Sequence, residues 1–96
     1  MRILMMKLTD QGMKNIKDAP QRIEAGIKAF EMMGGKVLAF YILMGGDYDY
    51  LSVGEGLDDK GVLAFALALG CQGNVRTTTV AAFTPEEFAA VVKKLP

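Results

Sequence analysis

The residues of this chain best suited to chemistry are gathered in one short stretch. Asp47, Tyr48, Asp49 and Tyr50 follow Gly45–Gly46 without a break, and Arg76 stands apart among valine, threonine and alanine. An aspartate here can accept a proton or pair with an ammonium group, and a tyrosine hydroxyl can donate to a developing negative charge. The planar fork of Arg76 suits a carboxylate. Gly46, Asp47, Tyr48, Asp49 and Arg76 therefore form the candidate ligand-binding set. If the chain is an enzyme, Asp49 is the base and Tyr48 or Tyr50 the donor. Each side chain also has a structural use. Asp49 can cap N–H groups of a turn, Tyr48 can pack at a subunit seam, and Arg76 can pair with Asp49 or Glu55. Strand alternation would send Tyr48 and Asp49 to opposite faces, so one pocket holds both only through a bulge or a turn.

Other chemistry is argued against by what is missing. Histidine is absent and Cys71 is the lone cysteine, so proximal-His haem ligation is excluded and neither zinc nor a Cys–His nucleophile is expected. Cys71, near a helix end among glycines, reads as a small buried residue. The glycines at 45, 46, 54 and 56 are not expected to make a phosphate cradle, because Gly45–Gly46 turns into a strand, not a helix. No cofactor and no metal are expected. With Lys plus Arg at 11 and Asp plus Glu at 11, the formal charge is zero, which argues against nucleic acid and an anionic membrane surface as partners.

Ninety-six residues make one domain, 1–96, with a small core. Yet 51% of the residues are hydrophobic, more apolar side chain than so small an interior can hide, which points to an oligomer. A single cysteine suits a reducing compartment. The opening apolar run breaks at Lys7 with no small-residue cleavage site after it, so it reads as a strand, and the expected location is cytoplasmic.

The elements that must position the candidate residues follow from periodicity. Arg2–Leu8 is a strand apolar on both faces; Thr9–Gly12 is turn chemistry, and Met13–Lys17 can make a helical turn or two. A helix begins at Pro20 with Asp18 as its cap, carries Ile23, Ile27, Phe30 and Met33 or Met32 inward, and stops at Gly34–Gly35. Lys36–Met44 and Tyr48–Glu55 form a hairpin about a tight glycine turn. Asp58 caps a second helix whose stripe is Val62, Phe65, Ala66 and Leu69. Asn74–Phe83 is a β-branched strand. Thr84–Pro85–Glu86–Glu87 opens the last helix with a capping box, Phe83 and Phe88 at the staple positions. Met5, Met6, Met32, Met33 and Met44 read as core and interface filler. The order βαββαβ plus a terminal helix gives an α+β, ferredoxin-like sandwich with its first and third strands central. Helices cover one face of such a sheet, so the doubly apolar strands call for a second copy on the other, making a dimeric α/β barrel.

Gly46–Asp47–Tyr48–Asp49 resembles the Gly–x–Tyr–Asp signature of the GYD domain family. Thr9–Asp10–Gln11–Gly12, Gly73–Asn74–Val75–Arg76–Thr77 and Phe83–Thr84–Pro85–Glu86–Glu87–Phe88 extend the resemblance over essentially the whole chain. It implies a dimeric α/β-barrel fold and leaves the biochemical role undefined. Gly46–Leu51, a helix and then Val75–Arg76–Thr77 also look like the effector-binding domain of Lrp/AsnC-type regulators. There the equivalent hairpin helps hold a small amino-acid effector at a subunit interface. The expected function is a non-catalytic homodimeric module binding a small polar metabolite near Gly46–Asp49. The alternative is a cofactor-independent isomerase or monooxygenase-like enzyme.

Overall fold

Strands and helices follow one another as β1 (Arg2–Leu8), α1 (Asp10–Lys14), a 3-10 turn (Ile16–Asp18), α2 (Ala19–Met32), β2 (Lys36–Ile42), β3 (Tyr50–Glu55), α3 (Asp59–Gln72), β4 (Val75–Ala81) and α4 (Pro85–Val92) in a computed structural model that describes residues 1–96. The strands make one antiparallel sheet in the order β2-β3-β1-β4. This is the α+β, ferredoxin-like arrangement, with the first and third strands central as expected. No helix is long and apolar enough to cross a membrane.

Strand alternation sorts the sheet into two different faces. Toward α2 and α3 point Leu4, Met6 and Leu8 of β1, Tyr50 of β3 and Val75 of β4. Leu4, Met6, Tyr50 and Val75 are the buried centre, with Ile23, Phe40, Phe65 and Leu69 packed around them. Phe30 of α2 meets Phe65 of α3 edge-on, 5.1 Å between ring centroids, a favourable aromatic geometry. The other face carries Ile3, Met5 and Lys7 of β1, opposite Val53 and Leu51 on one side and Val80, Thr78 and Arg76 on the other. Neither α2 nor α3 covers it, and Tyr41 and Val80 are 59% and 40% exposed. Between Val37 and Ala39 the β2–β3 register slips at a bulge. Val37 and Phe40 both reach the helical side as a result, and Leu38 stands exposed.

Local signals explain the helix ends. Asp58 accepts from the Gly61 amide at 2.8 Å to start α3, which stops at Gly73 in the left-handed conformation. The capping box of α4 is complete: Thr84 N–H donates to Glu87 Oε1 at 2.8 Å, and Glu87 N–H to Thr84 Oγ1 at 3.1 Å. Asp18 makes no capping bond, because the 3-10 turn feeds its backbone directly into α2. Met32, Met33 and Met44 are exposed, not filler of this chain's core. Cys71 is exposed too, since it falls off the stripe of Val62, Phe65 and Leu69 that faces the sheet. Helix α4 buries none of its residues and packs extensively on no other element, leaving Phe83, Phe88, Val91 and Leu95 exposed.

Candidate functional site

Residues 43–49 join β2 to β3, and they do not form the tight glycine turn. Strand β2 ends at Ile42 and β3 begins only at Tyr50, so Tyr48 and Asp49 belong to the connection. Gly45 and Gly46 have φ of 97° and 81°, a region that other residues enter only with strain, so they turn the chain at the tip. Asp49 then fastens the base. Its carbonyl accepts from Leu43 N–H and its own N–H donates to Met6 O, both at 2.8 Å, while its Oδ2 accepts from Leu8 N–H at 2.8 Å. The carboxylate therefore extends the β1–β3 ladder where β3 has run out of backbone. It caps a strand amide of β1, not an amide of its own turn. Tyr48 lies over the open face and reaches Thr78 of β4, hydroxyl to hydroxyl at 3.3 Å. Gly46 and Asp47 are exposed at the tip, and Asp47 makes no ion pair.

Arg76 is not brought to this group. Opposite Lys7 in the β1–β4 register, it sits on the outer strand and turns back toward α3. Its Nη1 donates to Gly70 O at 3.1 Å and Val75 O at 3.2 Å. The carbonyl end of a helix attracts a cation, and this takes the place of a pairing with Asp49 or Glu55. Lys7 and Arg76 thus share a face, while the Asp49 carboxylate lies at the end of β1.

Two further motifs meet one another. Thr9 caps α1 by accepting from Gly12 N–H, and its hydroxyl donates to Gly73 O. Gln11 Nε2 donates to Gln72 O at 3.0 Å and Asn74 Oδ1 at 3.1 Å. A Cβ on Gly12 would come within 2.1 Å of Asn74 O, so only glycine permits this approach. Thr9–Gly12 is consequently a clamp on the α3–β4 turn.

Between the sheet and helices α2 and α3 lies a cavity of about 80 Å³, partly open to solvent. Neither Tyr48, Asp49 nor Arg76 lines it; Tyr50 and Arg22 do. Burial pushes the Tyr50 hydroxyl above its ordinary pKa, with the Arg22 charge opposing and the Asp49 charge adding to the rise. Arg22 did not stand out in the sequence because it precedes the apolar Ile23. Its spacing was nevertheless a signal: Arg22, Gly26 and Phe30 recur every fourth residue and share one side of α2. No group of three or more His, Cys, Asp or Glu side chains is placed to hold a metal ion.

The model of the GYD domain matches residues 3–92. A protein of Thermus thermophilus described as glutamine synthetase and cystathionine beta-lyase binding protein is 32% identical over 92 residues, covering 95% of this chain and 96% of that one.

Proposed function

The chain belongs to the GYD domain family, and from that premise we propose that it is a non-catalytic, cytoplasmic binding module that works as a homodimer. The uncovered sheet face carries this reading. Ile3, Met5, Leu51 and Val53 form an apolar strip with no helix of their own subunit over it. A second copy related by a two-fold axis would cover that strip sheet to sheet, completing a dimeric α/β barrel. Tyr48 would then lie in the seam, and the exposed side chains of α4 would have a neighbour to pack on. Light scattering after size exclusion tests this: a dimer is expected at about micromolar concentration, a range in which stable homodimers persist. Val53→Lys should give a monomer with unchanged circular dichroism. A native chain that runs as a monomer overturns the reading.

The relative's description supports a protein as the thing bound. Glutamine synthetase and cystathionine beta-lyase, immobilised in turn, are the first partners to try by interferometry against the native dimer. No response from either at about 100 μM, a Kd worth only roughly 5.5 kcal/mol, would count against a partner of that kind.

The finer part of the proposal is a small polar metabolite at the hairpin. Asp49 and Arg76 are engaged by backbone groups, so Gly46, Asp47 and Tyr48 would make the first contacts there. A rise in melting temperature with an amino acid, lost in Asp47→Asn, is the expected sign. The enzyme alternative gains no support from Asp49, whose carboxylate holds the Leu8 amide and does not line the interior cavity.

A further inference from the structure

The cavity between the sheet and helices α2 and α3 has an apolar lining broken by two polar groups. Leu4 and Met6 of β1 lie beneath it, and Leu69 of α3 lines its side. Tyr50 is 6% exposed, and its hydroxyl makes no hydrogen bond within the chain; that oxygen is not sealed from solvent, so it opens onto the cavity that Tyr50 lines. A hydroxyl with no partner in the chain can bond whatever molecule occupies that partly open cavity, water or a ligand. Arg22, half-buried at the same cavity, has no carboxylate: the chain's ion pairs are Arg2 with Asp59 and Lys28 with Glu24. Its guanidinium donates only to neutral carbonyls, from Nη1 to Asn15 O at 2.8 Å and from Nη2 to Gly12 O at 3.4 Å. Arginine carries five N–H donors, so part of the fork stays unused.

A cation lacking an anion and a hydroxyl lacking a partner, lining one cavity with an apolar floor, are complementary to one class of molecule. The geometry points to a binding site for a small aliphatic carboxylate, its carboxylate received by Arg22 and Tyr50 and its short tail resting on Leu4, Met6 and Leu69. The volume limits the tail. About 80 Å³ is well below the ~150 Å³ engineered cavity that takes a benzene ring, so a short branched chain fits better than an aromatic one. This site lies within one chain and uses none of Gly46, Asp47 and Tyr48. It therefore stands whether or not the dimer, the protein partner or the hairpin metabolite is real.

The test is titration of the 15N-labelled full chain with isovalerate, 3-methylbutan-1-ol and isoamylamine, which share one tail and differ in the head. Isovalerate should shift the Tyr50, Leu69 and Arg22 resonances, the alcohol should bind about tenfold more weakly, and the amine should not bind. Arg22→Gln should weaken isovalerate about tenfold and erase the preference for acid over alcohol; Tyr50→Phe should weaken it about threefold. Asp47→Asn should leave isovalerate binding unchanged, which separates this site from the hairpin. Absence of shifts in the cavity residues at about 10 mM isovalerate, beyond the weak end of useful affinities, overturns the proposal. So does an alcohol that binds as well as the acid. Should Arg22→Gln fail to fold, the acid-to-alcohol ratio in the native chain and the Tyr50→Phe titration decide the matter.

Discussion

Helix α4 and the connection 43–49 are opposites in how the chain specifies them. The start of α4 is fixed within four residues, Thr84 and Glu87 satisfying each other's backbone amides. Once formed, the helix rests extensively on nothing else in the chain. The connection is fixed from a distance, by bonds from Asp49 to Met6 and Leu8 across β1 and from Tyr48 to Thr78 across the sheet. One is locally complete and globally loose; the other is locally permissive and globally tied. The contrast teaches that a clear local motif reports that an element forms, not that it is packed.

The comparison breaks or sharpens under mutation. Asp49→Ala should have the largest effect, about 2 kcal/mol in urea unfolding, because it strands the part-buried Leu8 amide and removes a charged acceptor. Asp49→Asn keeps an acceptor and should recover roughly half of that; equal losses for the two variants would show that the bond to Leu8 is not what matters. Gly46→Ala should cost about 1 kcal/mol through its positive φ alone. Thr84→Ala should cost α4 about 1 kcal/mol locally, read as faster amide exchange at residues 86–88. Its effect on global melting should be small in a monomer and should grow with protein concentration if α4 docks on a second copy. A global loss as large as that of Asp49→Ala in the monomer would end the contrast.

Acid probes the same cap. The hydrogen bond from the Thr84 backbone, then that of its side chain, holds the Glu87 carboxyl below its ordinary value. A carboxylate with a lowered folded pKa contributes fully above its unfolded value, and the contribution is lost as pH falls through the folded one. Exchange at α4 should therefore quicken, relative to the sheet, across that acidic window and not near neutrality. Tyr48→Phe should have the smallest effect, about 0.5 kcal/mol or less, its 3.3 Å bond being exposed.

The order and type of the longer elements are legible because each carries its own periodicity or cap: Val62, Phe65 and Leu69 on α3, the β-branched run of β4, and the capping box. Helix α1 is not, since Thr9–Gly12 reads as a turn whereas the helix already starts at Asp10. The sheet order followed from connectivity rules and agrees. The hairpin was less legible. Gly45–Gly46 is turn chemistry in any context, and nothing beside it says that Asp49 will serve Leu8, 41 residues earlier. A lone arginine in an apolar strand suggests an anionic partner, whereas the carbonyl end of α3 supplies the negative field. Position in the chain sets Tyr50 beside Asp49 as a donor, but strand parity sends its ring to the helical side, onto the cavity that Arg22 also lines. The Arg22–Gly26–Phe30 spacing was present, and the apolar stripe beside it concealed it.

The bulge at Leu38 bears on what the sheet can join. Strand β2 is an outer strand, and such strands offer unpaired backbone groups that could template a further strand and start a fibre. A slip in register twists and interrupts that row, so an incoming strand cannot pair along its whole length. On the other margin Arg76 places a charged side chain beside β4. Growth by strand addition is thereby discouraged at both margins, and the apolar face is left as the surface the sheet offers.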